Sequence, residues 1–508
     1  MNVTEIISES AARRPKKIAI TFEADAWTYA DFDRKVEHCA AALQVLGVQK
    51  GDRVALQLPK CMEFLCLHFA ALSLGAVSLP LNADYKPDEV YYFLSDSESA
   101  VCVMDHERYA RSRARLRALP NLKVVLVDGP EEGAADLAAL LAETPAVFQR
   151  PYPTVGGDTA MICYTSGTTG LSKGAMITHE NLIANSRALA LAWQWSDADV
   201  LLHVLPLFHV HGLNVAALGS LLAGATMVMH ERFSPARTWR TIEARRCTVL
   251  MAVPTIYQRL VSEWEAAEAR PDLSSMRVFI SGSAPLPDPL FNRFEALTGH
   301  RILERYGMTE TGMNTSNLID PAGRKARSVG YPLPGVAIRV VGWDGVDADR
   351  GSVGEVWIKG PNVFAGYWRM PEKTKNSFNG GWFMSGDLGY LDAEDNDRLY
   401  LVGRSKELII SGGFNVYPKE IENVLESHEG VLESAVVGLP DADLGERVSA
   451  AVVLKPGASA TAEELTALCK ERLAGYKCPK RVVFIDVLPR NAMGKIQKNV
   501  LTDKWPGD

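Results

Sequence analysis

From Tyr164 to Ala175 the chain reads Tyr-Thr-Ser-Gly-Thr-Thr-Gly-Leu-Ser-Lys-Gly-Ala, directly after the apolar Met161-Ile162-Cys163. Twelve residues thus carry three glycines, five Ser/Thr hydroxyls and one lysine. Glycine lets backbone N–H groups converge on an anion with no Cβ in the way, hydroxyls donate further hydrogen bonds, and lysine adds a mobile point charge. Thr165, Ser166, Gly167, Thr168, Thr169, Gly170 and Lys173 are therefore the candidates for gripping the phosphates of a nucleoside triphosphate. The ordinary G-x-x-x-x-G-K-[ST] loop needs Gly before the lysine and Ser or Thr after it, whereas Lys173 follows Ser172 and precedes Gly174. A kinase or GTPase of that class is disfavoured. Taken alone, the loop also reads as a flexible Ser/Thr/Gly surface turn.

The rest of the chain must position that loop. With 508 residues, 47% hydrophobic and 23% charged, it can bury large cores and should divide into two or three domains. A net charge of −7 leaves no basic footprint for nucleic acid or an anionic membrane. The eight cysteines form no C-x-x-C pair and lie mostly in apolar surroundings, as buried free thiols would, so a reducing cytosol is the expected compartment. The most hydrophobic stretch, residues 64–81, is interrupted by His68, Ser73, Gly75 and Pro80, and neither a signal peptide nor a membrane span is expected.

Helical periods alternate with short β-branched runs. The spacing predicts helices over 32–46 and 63–74, and strands over 54–58, 100–104, 122–127, 248–253 and 277–280, with an Ala-rich linker over 129–153. Helices alternating with parallel strands place ligands at the carboxyl ends of those strands. After about residue 330 the texture changes to short strands and Gly-rich turns, such as residues 354–360. From about Ser405 strands (434–438, 448–454) mix with helices (419–428, 462–474).

Five more segments follow the phosphate loop in order: Ser281-Gly282-Ser283-Ala284-Pro285, Glu304-Arg305-Tyr306-Gly307-Met308-Thr309-Glu310, Ser385-Gly386-Asp387-Leu388, Gly403-Arg404-Ser405-Lys406-Glu407 and Pro489-Arg490-Asn491-Ala492-Met493-Gly494-Lys495. Together the six resemble the acyl-activating adenylate-forming superfamily of acyl-CoA synthetases, carrier-protein adenylation domains and beetle luciferases, over nearly the whole chain. The resemblance implies an α/β fold: a large N-terminal domain (1–403) of layered α/β subdomains with a β-barrel-like subdomain, a hinge (404–407) and a small mobile α+β C-terminal domain (408–508). It also implies an AMP-forming acid–CoA ligase that uses ATP, Mg²⁺ and CoA on a small carboxylic acid, through an acyl-AMP.

By that resemblance, the Thr165–Lys173 loop holds the β- and γ-phosphates, Glu310 with Thr168 holds Mg²⁺, and Thr309 contacts the α-phosphate. Activating a carboxylate with ATP brings two anions together, so cations are obligatory, and a carboxylate suits a hard cation that accepts few protein ligands. Ser283, Ala284, Pro285, Glu304, Tyr306 and Gly307 are expected around the adenine. Asp387 is expected to accept the ribose hydroxyls and Arg404 to donate to the sugar. Lys495 bridges the acid and the α-phosphate in the adenylation step, then departs as the C-terminal domain rotates about Lys406. Gly412, Gly413 and Phe414 then face the site for thioester formation with CoA. Each residue has a plainer reading as well: Tyr306 as core, Glu310 and Lys495 as solvated charges, His211 as a satisfied core histidine.

His209, in Leu-Pro-Leu-Phe-His-Val-His-Gly, matches a histidine that borders the acyl pocket and the thiol tunnel; Ser281, Gly282, Met308 and Met313 are the other expected pocket residues. The segments 304–317, 277–286 and 360–364 resemble malonyl- and methylmalonyl-CoA synthetases most. A dicarboxylate needs a second cation at the far end of the pocket, because an unpaired buried carboxylate costs several kcal/mol. Arg232 is the candidate, against a reading in which Glu231 simply pairs with it at the surface. Gly312, lacking a side chain, would enlarge the pocket. Other readings are a ligase for short- or medium-chain or aryl acids, a free-standing adenylation enzyme serving a carrier protein, and an idle adenylate-binding protein, which should have lost Lys495, Glu310 or Lys173.

Overall fold

The computed structural model describes residues 1–146, 148, 153–165, 172–490 and 496–506. Two large sheets enclose a layer of helices. The first runs, in parallel order, through Ile18–Phe22, Thr226–Met229, Val200–His203, Val249–Ala252, Val278–Ser281 and Leu303–Met308. The second runs through Val77–Pro80, Arg53–Gln57, Val101–Met104 and Lys123–Leu126, and reaches the hairpin Thr159–Thr165/Lys173–Thr178 on the other side of Val77–Pro80.

Alternation along the parallel strands builds the layers. Leu201, Met227, Met251 and Ile280 point into the central core, while Leu202, Val228, Leu250 and Phe279 pack on the other side against Trp239, Tyr257 and Phe294 of the outer helices. Buried on both faces, these strands read as continuous apolar runs. The central helix Met62–Leu74 buries every residue but Glu63, the pattern of a helix covered all round. It shares one hydrophobic core with Leu56 of one sheet and Met251 of the other.

The strand Leu303–Met308 changes the architecture. Leu303 and Glu304 pair parallel with Ile280 and Ser281, and from Arg305 onward the same strand pairs antiparallel with Gly312–Ser316. The antiparallel strands Ser328–Pro332, Arg398–Arg404, Trp382–Asp392, Gly354–Lys359 and Ala337–Val341 continue from there. These strands make up the expected β-rich subdomain, which continues the large sheet and ends on Ala337–Val341. The expected linker 129–153 contains the short strand Ala135–Asp136 and the helix Leu137–Glu143, whose first turn Asp136 caps. A third sheet starts at Ile409 and carries the helices Pro418–Glu426 and Ala462–Arg472. No helix among the described residues is long and apolar enough to cross a membrane.

Asn317 holds the junction. Its Nδ2 donates to the carbonyls of Glu304 at 3.0 Å and Ser328 at 2.6 Å, and its Oδ1 accepts from buried Arg398 at 2.7 Å. Asn317→Leu would take a donor from two buried carbonyls and an acceptor from Arg398, so urea titration should show unfolding free energy lower by roughly 2–4 kcal/mol. A loss under about 1 kcal/mol would mean that the strands hold register without it.

Candidate active site

The phosphate loop is the turn of an antiparallel hairpin, with Thr165 paired to Lys173 across its base. An ordinary phosphate loop leads from a strand into a helix, so this one is of a different build. Two tyrosines brace it: Tyr92 Oη donates to the carbonyl of Ser172 at 2.8 Å, and Tyr164 Oη donates to Asp96. Ser166, Gly167, Thr168, Thr169 and Gly170, and likewise Lys495, lie outside the described residues. Lys173 Nζ stands 5.1 Å from the centroid of the Tyr367 ring.

Glu310 follows the junction strand in a turn and is buried. Its Oε1 accepts from Tyr367 Oη at 3.0 Å and lies 3.5 Å from Thr165 Oγ1. Thr165, Lys173, Glu310 and Tyr367 therefore meet at one point although they come from three separate segments. Tyr367 was not legible as a site residue: an aromatic after a glycine, ahead of Pro371-Glu372-Lys373-Thr374, reads as packing. A carboxylate with hydroxyl neighbours beside a phosphate loop fits Mg²⁺, which takes one or two protein carboxylates and otherwise phosphates and water.

On one face of the junction strand, Tyr306 Oη donates to Asp387 Oδ2 at 2.6 Å, and Asp387 Oδ1 pairs with Arg404 Nε at 3.1 Å. Asp387 and Arg404 sit opposite each other in register. Burial and then Asp387 push the Tyr306 phenol well up, whereas Asp387 raises the Arg404 guanidinium. Glu304, also on this strand, accepts from the Leu286 N–H at 2.8 Å, and burial lifts its carboxyl to about 8. The turn after Val278–Ser281 carries Ser283 at φ +70°, half-buried Ala284 and exposed Pro285.

Arg305 points to the opposite face and is 3% exposed. Its Nε and Nη2 find no hydrogen-bond partner, and burial lowers the guanidinium to about 9. It lies over Gly282, where an added Cβ would come 2.4 Å from Arg305 Cζ, so a side chain there would displace the cation. The Ser281 hydroxyl beside it is buried and also unpartnered. His211 Nδ1 lies 3.2 Å from Ser283 Oγ, and its buried Nε2 has no partner. His209 Nδ1 accepts from the His211 N–H at 3.2 Å. Burial first, and then the Arg305 charge, push His209 down to about 4 and His211 well below its usual value. These two rings are neutral near pH 7. The segment His211–Leu218 is a π-helix, a widened turn often found at functional sites.

Arg232 does not join this group. Its side chain is 90% exposed and lies 3.7 Å from Glu231, so it is the surface pair that the sequence also allowed. The residue that sequence reasoning passed over is Arg305, which stands in the quoted Glu-Arg-Tyr-Gly motif; its meaning depends on which face of the strand it takes. Gly312 needs correcting as well. With φ +57°, an added Cβ there would lie 2.8 Å from Asn185 Oδ1, so the glycine makes room for Asn185 and not for substrate. Asn185 clamps the Met313 backbone, accepting from its N–H at 3.1 Å and donating to its carbonyl at 2.8 Å. The remaining cavity between Thr309, Gly312, Asn214 and Asn362 is only about 20 Å³. Met313 is buried, and Gly307 and Met308 are partly so.

In the C-terminal part, Gly412 and Gly413 form a two-residue hairpin turn with φ of +57° and +82°, a backbone that favours glycine whatever passes near it. Phe414 is 54% exposed and stacks on Tyr476 at 4.6 Å. Lys406 lies in the turn Ser405–Glu407 between the first and third sheets.

The family description "AMP-binding enzyme" matches residues 7–368, and "AMP-binding enzyme C-terminal domain" matches residues 420–495. A long-chain-fatty-acid–CoA ligase of Bacillus subtilis is 34% identical over 98% of this chain and 94% of its own. The human mitochondrial malonate–CoA ligase ACSF3 is 35% identical over 92% of this chain and 85% of its own. The crystal structure of ATP-bound MatB from Rhodopseudomonas palustris superposes with a TM-score of 0.91 at 42% identity, covering 99% of both chains. Matched in this way from its phosphate hairpin to its C-terminal domain, the chain belongs to the AMP-binding enzymes, and it is an AMP-forming acid–CoA ligase that uses ATP, CoA and Mg²⁺.

Proposed function

We propose that the acid is a small dicarboxylate, malonate or a methyl-substituted relative, and that Arg305 pairs with its distal carboxylate. The observation that carries this reading is a guanidinium almost fully buried with two of its nitrogens unpartnered. Charge in that state costs several kcal/mol, which a carboxylate of the substrate would offset and an alkyl chain would not. The unpartnered Ser281 hydroxyl and His211 Nε2 near Arg305 add donors of the kind such an anion needs. The malonate ligase among the relatives agrees with this; the fatty-acid ligase marks the competing monocarboxylate.

The proposed order of events follows from the residues. A carboxylate oxygen attacks the α-phosphorus, the bond to the bridging oxygen breaks, and the electron pair leaves with pyrophosphate. Lys173 and the loop hydroxyls bind the departing phosphates, Thr309 the α-phosphate, and Lys495 the charge shared between acid and phosphate. Glu310 would hold Mg²⁺, which supplies neutralisation of phosphate charge. The Tyr306–Asp387–Arg404 chain orients the nucleoside, with Asp387 exchanging protein donors for ribose hydroxyls. In the second half-reaction the thiol of CoA attacks the acyl carbon and AMP leaves. Gly412, Gly413 and Phe414 are proposed to border the thiol after rotation about Lys406. His209, held to about 4, is too weak a base to take a thiol proton efficiently near pH 7, so its proposed role is to orient the thiol.

Arg305→Leu should lower kcat/KM for malonate by two or more powers of ten, corresponding to roughly 3–5 kcal/mol for stranding the substrate's charge. Butyrate, lacking that charge, should be used as well as before or better. The thermal midpoint without substrate should hold or rise, because an uncompensated buried charge has been removed. Parallel loss on both acids would make Arg305 structural and favour the monocarboxylate. Separately, Lys495→Ala should reduce acyl-AMP formation by at least ~10²–10³-fold, yet still convert supplied acyl-AMP and CoA to thioester. Equal loss in both half-reactions would overturn its assignment.

A further inference from the structure

One short segment clasps the phosphate hairpin to the turn that carries Glu310. The strand Gly366–Tyr367 pairs with the hairpin strand Lys173–Thr178, with Tyr367 opposite Ala175, and the Trp368 N–H donates to the Gly174 carbonyl at 2.7 Å. Just ahead of it, the Phe364 N–H donates to the backbone carbonyl of Glu310 at 2.8 Å. The Tyr367 N–H is itself anchored, donating to Thr374 Oγ1 at 2.8 Å. Its ring is buried, edge-on to Phe364 at 4.9 Å between centroids, with Lys173 Nζ at 5.1 Å. Backbone pairing and packing thus fix where the Tyr367 hydroxyl falls.

That hydroxyl makes the two oxygens of Glu310 unlike. Oε1 accepts from Tyr367 Oη at 3.0 Å and has Thr165 Oγ1 at 3.5 Å, whereas Oε2 has no hydrogen bond or ion pair among the described residues. Burial first, and then the Glu310 charge, push the phenol far above its usual range, so it stays protonated and donates. Hydroxyls facing Oε1 occupy its lone pairs, and the carboxylate offers a cation one oxygen. Octahedral Mg²⁺, with its short bonds, is suited by a single carboxylate oxygen; Ca²⁺, larger and freer in geometry, also takes both.

We propose that Tyr367 is a positioning residue that sets the metal preference of the site: by holding Oε1 of Glu310 it leaves Oε2 as the single ligand oxygen, which favours Mg²⁺ over the larger Ca²⁺. The proposal rests on the reading of Glu310 as the metal ligand and is independent of the identity of the acid.

The test is calorimetric titration of the full-length enzyme with ATP in Mg²⁺, in Ca²⁺ and in chelator, with no acid present so that nothing turns over. Tyr367→Phe removes the hydroxyl and keeps the ring beside Phe364 and Lys173. It should weaken ATP binding in Mg²⁺ by about tenfold or more, the usual result of losing the hydrogen bond behind a metal ligand. Binding in Ca²⁺ should hold or tighten, and binding in chelator should not change. In acyl-AMP formation the Mg²⁺ concentration for half-maximal rate should rise by a similar factor. Equal weakening in both metals would make Tyr367 a general support and overturn the proposal, as would no change in either. Glu310→Gln separates the premise. If it leaves binding in both metals intact, the Glu310 reading falls and this proposal with it; if it weakens both while Tyr367→Phe alters neither, only the role of Tyr367 falls.

Discussion

The site depends on the pairing of one strand. Leu303–Met308 is the last parallel strand of the large sheet and the first antiparallel one, so its backbone hydrogen bonds change pattern between Glu304 and Arg305. The pleat turns Tyr306 toward Asp387 and Arg404, and Arg305 toward Gly282 and the two histidines. The turn that follows brings Glu310 to Thr165 and Tyr367. In the proposed function, nucleotide chemistry and acid recognition fall on two faces of the same few residues. A slip of one residue in register would exchange the faces and bury Tyr306 where the cation belongs.

Unpaired and paired charges separate site from scaffold. At the site, Glu304 is raised to about 8, Arg305 lowered to about 9 and His209 lowered to about 4, each chiefly by burial. Glu304 and Arg305 lack a full set of partners within the protein, and displaced pKa values of this kind cluster where ligands complete the set. The C-terminal part shows the opposite case. Lys498 pairs with Glu422 at 2.6 Å and lies 3.6 Å from Glu407, while Lys419 lies 3.4 Å from Glu426. There burial raises the Glu422 carboxyl, but Lys498 and Lys419 outweigh it and hold it low. That cluster ties the turn Ser405–Glu407 to the helix Pro418–Glu426, a structural use of buried charge.

Much of the fold was legible because it follows from local periodicity. The helix expected over 63–74 is Met62–Leu74, and the strands expected over 100–104 and 122–127 are Val101–Met104 and Lys123–Leu126. The misjudged segment 129–153 holds a helix of seven residues, too short for its period to stand out in an Ala-rich run. The β-rich subdomain was legible as a run of short strands, but its continuity with the large sheet was not, because such a run looks the same whether it stands alone or extends a neighbouring sheet. Only the shared strand Leu303–Met308 distinguishes them.

The sequence by itself determined the chemistry available: a Gly- and hydroxyl-rich loop with Lys173, the order of six motifs, and from them the enzyme class with its ATP, CoA and Mg²⁺. Residue type and local spacing suffice for this, because the functional groups that can grip phosphate or coordinate a hard cation are few. Which cation is buried without a partner and which is solvated was decided by the tertiary structure alone. Arg232 and Arg305 carry the same guanidinium, yet one is 90% exposed beside Glu231 and the other buried without a partner. Tyr367 joins Lys173 and Glu310 only because the strand Gly366–Tyr367 pairs with the hairpin strand Lys173–Thr178. The strength of a charge depends on its distance from water and from other charges, and both are set by contacts between segments far apart in the chain.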